Sequence, residues 1–291
     1  MNKQVVRPGR VEEISSSANP RIKSIKGLGL KKNRDREGVF LAEGQKLVTD
    51  ALEKGWTIRT LLHSKRLLED PRQKDKIEAL SSTVRARGGD VLITNDKLLT
   101  SITRRDNPQA VIAVVEHRLT DVSKATFGKD DCWLALDRVR DPGNLGTIIR
   151  TADALGARGV MLVGESTDPF ALEAVRATMG SLFQIDLVKL TAAEFIDFAS
   201  RFRAGGGVVS GTHLKGAVDH RSIDYSAGPQ LLLMGNEQQG LTDELAGACD
   251  HVVLISMDGA SAADSLNLAV ATGIMLFESR RHKLPTIGAE Q

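Results

Sequence analysis

The chain has 291 residues, 41% hydrophobic and 26% charged, with 27 glycines, 4% aromatics and a formal net charge of +2. That length accommodates one large or two modest domains, and abundant glycine with few aromatics points to an α/β protein rather than a β-sandwich. No apolar run reaches the roughly 18 residues of a membrane span, the N-terminus MNKQVVRPGR has no apolar signal core, and a cytoplasmic protein is expected. The two cysteines, Cys132 and Cys249, make neither a disulfide framework nor a metal cluster, so they read as small core residues and no metal is expected. The charge is unevenly spread. Residues 1–118 hold 24 Lys/Arg against 15 Asp/Glu, whereas 119–291 hold 15 against 22. A basic half favours a polyanion partner at that end, although a merely solvated charged face has the same composition.

In chain order, residues 1–14 read as a basic flexible leader. Asn19-Pro20 opens a helix from Arg21 to about Lys32, with basic residues on its outer side. Gly38–Gly44 reads as a strand ending in a glycine turn, and Lys46–Lys54 as a helix with Leu47, Val48, Ala51 and Leu52 inward. Strands Ile58–His63, Asp90–Thr94 and Ala110–Glu116 alternate with a short helix or turn Lys65–Glu69 and helices Ile77–Arg87 and Asp96–Ile102. This alternation predicts a small α/β/α sandwich over residues 15–117. Residues 118–130 are polar and aperiodic, a linker.

A second domain is expected over 131–283, followed by a frayed tail, 284–291. Its strands are Trp133–Leu136, Gly159–Val163, Gln184–Val188, Val208–Gly211, Leu231–Met234 and Val252–Met257. Its helices are Thr147–Leu155, Pro169–Met179, Ala192–Phe202, Leu241–Ala248 and about Leu266–Glu278. Short apolar strands alternating with helices predict a parallel, doubly wound sheet with ligands at the strands' C-terminal ends. The last helix is apolar on nearly every face, so it must be covered on all sides, by its own sheet and by a second body. Ser265 stands where its N-cap is wanted.

Three loops at the strand ends carry unusual residues. The first, Asp141–Gly146 followed by Arg150, has glycines three apart, which is neither the G-x-G-x-x-G of a dinucleotide site nor a phosphate loop. A nicotinamide oxidoreductase is therefore disfavoured. On spacing alone Arg150 reads equally as an ion-pair partner for Asp153 or as a ligand-facing cation. The second loop, Gly235–Gly240, places small and polar residues directly after an apolar strand, the signature of a functional crest. There Glu237 reads alternatively as a simple helix-start acid. The third is Ser265-Leu266-Asn267, in which Asn267, one turn into an apolar helix, requires a polar partner.

Taken together and in this order, N-L-G-T-I-I-R-T-A (144–152), M-G-N-E-Q-Q-G-L (234–241) and S-L-N-L-A-V-A (265–271) resemble the three motifs of the SpoU (TrmH-like) branch of the SPOUT methyltransferases. The first half is similar to that family's small, ribosomal-protein-like RNA-binding domain, through S-A-N-P-R-I-K (17–23), F-L-A-E-G-Q-K-L-V (40–48) and N-P-Q-A-V-I-A-V-V (107–115). The resemblance covers roughly residues 15–283. It implies a parallel sheet with a deep trefoil knot, an exception to the usual absence of knots. It further implies S-adenosylmethionine as cofactor, 2′-O-methylation of a ribose in structured RNA, and a homodimer through the knotted domain that completes the active site. Ribosomal RNA of the large subunit is favoured over tRNA, and a non-enzymatic RNA-binding protein on the same fold is the rival reading.

By the same resemblance Asn144, Arg150, Glu237, Ser265 and Asn267 take the active-site positions. Arg150 would grip the target phosphate, Asn144 and Glu237 would hold the loops in register, and Ser265 and Asn267 would orient substrate and cofactor. Cofactor contacts fall on Met234, Gly235, Asn236, Gly240, Ile255, Met257, Leu266 and Asn267. RNA contacts are expected from Arg21, Lys23, Lys31, Lys32, Arg34, Arg36, Arg104 and Arg105. Two departures stand out: Ile255-Ser256-Met257 replaces the family's Ile-Pro-Met, and the loop between Met257 and Ser265 is about two residues longer than the family's, so the path of Asp258–Asp264 does not follow from the resemblance.

Overall fold

The computed structural model describes residues 7–123, 125–213, 218–261 and 263–285. The chain divides into two compact units, Met1–Arg118 with Asp168–Phe183, and Leu119–Thr167 with Gln184–Gln291.

The first unit begins with strand β1 (Val11–Glu13), helices α1 (Pro20–Gly27) and α2 (Lys31–Glu37), β2 (Val39–Glu43) and α3 (Gln45–Glu53). It continues with β3 (Ile58–Ser64), α4 (Arg66–Glu69), α5 (Lys74–Ala86), β4 (Asp90–Thr94), α6 (Asp96–Thr103) and β5 (Val111–Glu116). The five strands form one sheet in the order β1-β4-β3-β5-β2, with β5 antiparallel to both neighbours. The basic leader is corrected in part: Val11–Glu13 is an edge strand parallel to β4, with Ile14 buried behind it, while residues 1–6 lie outside the described residues. The single helix expected from Arg21 to Lys32 is two. Asn19 caps α1 by accepting from Arg21 N at 2.8 Å, with Pro20 in the first turn, and α2 closes on Gly38 at φ 64°, a left-handed position suited to glycine.

The second unit starts with β6 (Cys132–Asp137), α7 (Pro142–Ala154) and β7 (Gly159–Val163). After Thr167 the chain joins the first unit for sixteen residues, Asp168–Phe183, which include α8 (Leu172–Ala177). It then resumes with β8 (Asp186–Leu190), α9 (Ala192–Ala204), β9 (Val208–Thr212), β10 (Val218–Asp219), β11 (Gln230–Met234), α10 (Asp243–Gly247), β12 (His251–Leu254) and α11 (Leu268–Arg280). The seven strands run in the order β10-β12-β9-β11-β6-β7-β8, every pair parallel. Trp133, Phe195, Phe198, Phe202, Leu231 and Leu233 build the core between sheet and helices. The tail falls mostly outside the described residues, at 286–291.

The excursion 168–183 is held to the first unit by groups that are costly to bury alone. Phe170 stacks on His117 (centroids 4.2 Å apart) and lies 4.8 Å from Phe40, while Phe183 meets Trp56 edge-on at 5.2 Å. Arg176 Nε donates to the buried Glu43 at 2.6 Å. Arg34, expected on the RNA-binding face, is instead only 5% exposed. Its Nε and Nη2 reach Asp168 Oδ2 at 2.9 and 2.6 Å, and Nη1 donates to Leu28 O at 2.7 Å. With all three guanidinium nitrogens engaged inside the unit, it is withdrawn from the RNA-contact set. A run of like charges on a helix does not distinguish the one member that turns inward to a carboxylate distant in sequence.

Removing one partner of a buried pair leaves the other charge without compensation, which costs about 3–5 kcal/mol. Arg34→Ala should lower urea-unfolding stability by that order, and Arg34→Met with Asp168→Leu together should lose clearly less. An additive double mutant would locate the stabilisation elsewhere.

Candidate active site

A cavity of about 330 Å³ opens at the C-terminal ends of β9, β11 and β12, within the range of about 300–1,000 Å³ typical of small-molecule sites. In a parallel sheet this is the edge from which ligand-binding loops depart. Its walls are Thr212 and His213 at the end of β9, Met234–Gly240 at and beyond the end of β11, Val253–Ile255 and Met257 at and beyond the end of β12, Ser265 and Leu266 before α11, and Leu268 and Ala271 in its first turns.

The crest after β11 is folded back on itself. Asn236 and Gly240 exchange backbone hydrogen bonds of 3.2 and 3.0 Å. A Cβ at Gly235 would sit 2.8 Å from the carbonyl carbon of Gly240, so the turn requires glycine there. The Asn236 side chain is buried: Oδ1 accepts from the backbone N of Gln238 and Gln239, and Nδ2 donates to Arg138 O at 3.0 Å. Arg138, at φ 48°, places Nε and Nη2 on the two oxygens of the buried Asp137 at 2.8 and 2.9 Å, and donates from Nη1 to Gln239 Oε1 at 2.9 Å. The Asp137 carboxylate raises the Arg138 guanidinium above its ordinary pKa. Arg138 thus joins the end of β6 to the crest, with Glu237 exposed at its tip.

The C-terminal stretch differs from expectation at both ends. The strand expected through Met257 stops at Leu254, and α11 starts at Leu268, capped by Asn267 rather than Ser265. Asn267 Oδ1 accepts from Ala269 N (2.8 Å) and Val270 N (3.4 Å), while its Nδ2 donates to Asn144 Oδ1 at 3.2 Å. Asn267 thereby satisfies the helix start and reaches the first motif in one step. Asn144 stands in the first turn of α7, its backbone N donating 2.6 Å to the N-cap Asp141. Helices α7 and α11 pack together, and Arg280 Nε donates to Leu155 O at 3.1 Å.

Of the expected catalytic residues, Glu237 and Ser265 line the cavity, and Asn144 and Asn267 join the two helix starts. Arg150 is exposed on α7, outside the cavity wall; among the described residues it forms no ion pair with Asp153 or any other acid. The expected cofactor residues Met234, Gly235, Asn236, Gly240, Ile255, Met257 and Leu266 all line the cavity; Asn267 stands beside it. Thr212 and His213 also line it but were not expected, and Gln238 and Gln239 line it from within the expected crest, where no contact was assigned to them. Polar residues directly after the strand Val208–Gly211 carried the same signal as the recognised crest. Among the expected RNA contacts, Lys23, Lys31, Lys32, Arg36, Arg104 and Arg105 are exposed, whereas Arg21 is half-buried against Asp90 (2.6 Å) and Glu12 (3.1 Å). No group of three or more His, Cys, Asp or Glu placed to hold a metal occurs among the described residues.

Residues 131–277 match the family model described as the SpoU rRNA Methylase family. The chain belongs to that family. Residues 19–113 match the MRM3-like substrate binding domain. The structure is similar to that of an AdoMet-bound rRNA methyltransferase from Sinorhizobium meliloti, with a TM-score of 0.87 and 50% identity over 94% of this chain and 99% of that one. In sequence the chain is 35% identical to a 23S rRNA (uridine(2479)-2'-O)-methyltransferase of Streptomyces viridochromogenes, over 88% of each protein. It is 32% identical to a tRNA (guanosine(18)-2'-O)-methyltransferase of Escherichia coli, over 53% of this chain and 64% of that protein. It is an S-adenosylmethionine-dependent methyltransferase, with an all-parallel C-terminal sheet typical of the SPOUT knot and a smaller N-terminal α/β domain. The cavity suits that cofactor: apolar side chains from β12 and α11 offer walls for a nucleoside, and the glycine turn brings backbone close to it.

Asn267 does two separable things, capping and tying. Asn267→Ala should cost about 0.5–2 kcal/mol of stability through the lost cap. Asn267→Asp keeps the cap and loses the donor to Asn144, so it should melt near wild type while methyl transfer drops. Thermal melts and initial rates on the same preparations check both.

Proposed function

We propose that the RNA whose ribose this enzyme 2′-O-methylates is ribosomal, from the large subunit, and that it acts as a homodimer. The observation that carries the ribosomal reading is coverage. The 23S rRNA relative matches across both units, whereas the tRNA relative matches over about half of the chain. A substrate-binding unit bearing exposed Lys23, Lys31, Lys32, Arg36, Arg104 and Arg105 suits a folded RNA gripped by phosphate contacts. With one Tyr and two Trp in the whole chain, extended base stacking is disfavoured.

The dimer reading is supported by α11, where Val270 and Phe277 are 53% and 54% exposed on an otherwise apolar helix. A second copy seated there covers them and brings another wall to a cavity whose own Arg150 stands outside it. In the chemistry, S-adenosylmethionine supplies an electrophilic methyl group, and the protein must hold a ribose oxygen in line with it. Such positioning alone is worth up to about 7–11 kcal/mol of barrier. A guanidinium holds its proton firmly at neutral pH and is a poor proton acceptor. Arg150 therefore grips the phosphate next to the target and stabilises charge developing on the oxygen, and the proton leaves to phosphate or water. Asn144 and Glu237 hold the loops in register; Ser265 and Asn267 orient the reactants.

Arg150→Lys keeps the charge and loses the planar fork, so turnover should fall at least tenfold with cofactor affinity unchanged; near-normal turnover would remove fork-specific positioning from the mechanism. For the substrate, ribose methylation is mapped in ribosomal and transfer RNA from cells with and without the protein. One large-subunit site should depend on it. Dependence confined to tRNA would overturn the ribosomal reading.

A further inference from the structure

Beyond Leu254 the backbone lines the cavity at Ile255 and again at Met257, while Ser256 between them is exposed and faces away from it. Strand β10 accompanies β12 only as far as the pairs Val218↔Val253 and Asp219↔Leu254, so sheet pairing ends one residue short of Ile255, with Ile255 and Met257 still to be placed in the cavity wall. At that point Ser256 Oγ donates to Asp219 Oδ2 at 2.8 Å. Asp219 is itself fixed. Its Oδ1 accepts from Arg221 N and Nε, each at 2.8 Å, its Oδ2 from Arg221 Nη2 at 2.7 Å, and it caps the short turn His220–Ser222. These bonds from Arg221, with that from Ser256, hold the carboxyl well below the usual carboxylate range, so it is a charged acceptor throughout the physiological pH range. Among the described residues of 255–264 the other side-chain hydrogen bonds are local, Asp258 to Ala260 N and Ser261 to Ala263 N. Among the described residues Ser256 makes the one side-chain hydrogen bond from this segment to another element.

We propose that Asp219 and Ser256 form a latch that positions the cofactor loop: the bond carries the order of the sheet one step past β12 and sets where Ile255 and Met257 stand as cavity wall. Serine has no backbone restraint of its own, in contrast to a proline, whose ring presets φ. Without the latch the wall must be ordered by the ligand at the moment of binding, and affinity falls by that cost. Neither side chain touches the cavity, so both are positioning residues.

The inference rests on S-adenosylmethionine occupying this cavity, and the experiment separates the two ideas. The full-length protein and three variants are titrated calorimetrically with S-adenosylmethionine. A charge-assisted bond screened by solvent predicts about three- to tenfold weaker binding for Ser256→Ala, and affinity within about twofold of wild type for Ser256→Thr, which keeps the hydroxyl. Leu266→Trp, which puts an indole on the cavity wall, should abolish binding. At saturating cofactor the turnover of Ser256→Ala should stay within about twofold of wild type, since the RNA side is untouched. Unchanged affinity in Ser256→Ala alongside lost binding in Leu266→Trp overturns the latch and leaves the cavity assignment standing. Normal binding by Leu266→Trp overturns both. A matching loss in Ser256→Ala and Ser256→Thr, or a fall in saturated turnover, also overturns the latch.

Discussion

A buried carboxylate at the end of a central strand organises the catalytic unit. Asp137 closes β6 with its side chain almost fully enclosed, and among the described residues only Arg138, turned into a left-handed backbone conformation, is placed to neutralise it. The same guanidinium reaches Gln239, and the carbonyl of Arg138 receives the amide of Asn236. Enclosing one charge therefore dictates the shape of a neighbouring loop. A parallel sheet offers a row of strand ends but no geometry for the loops that leave them. In this protein that geometry comes from polar ties between successive loops: Arg138 to the crest, Thr212 Oγ1 accepting from Gly235 N at 3.3 Å, and Asn144 to Asn267.

The same physics explains the excursion of residues 168–183. Sixteen residues that follow a strand of the second sheet are claimed by the first unit because their groups find partners there: Asp168 for Arg34, Arg176 for Glu43, Phe170 and Phe183 for an aromatic cluster. Buried ion pairs contribute less to net stability than their geometry suggests, since desolvation offsets much of the attraction. Their stronger consequence is selective, because a mispaired arrangement would strand a charge in the interior.

The cofactor loop shows how a local sequence choice and a distant side chain can replace one another. Ile255 and Met257 are cavity wall, yet the sheet that aims them ends one residue earlier. The nearest fixed point is the Asp219 carboxylate, anchored by Arg221 on a different strand end. Rigidity at position 256 is a property of the pair, not of the serine.

Much was legible in residue order alone. Nearly all strands follow from short apolar runs between polar turns, and three motifs in their order carry the resemblance to the family. The asparagine at 267 announced a partnered position by residue type. What the sequence could not carry was the identity of partners far apart along the chain. Arg34 reads as one cation among several until Asp168, 134 positions later, is seen beside it. Ser265 and Asn267 are both good caps on paper, and which of them caps was decided by where α11 must start to pack on α7 and reach Asn144. Local propensity is written in neighbouring residues; the choice among locally equivalent side chains belongs to the tertiary structure, because burial and hydrogen-bond satisfaction depend on groups brought together only by the fold.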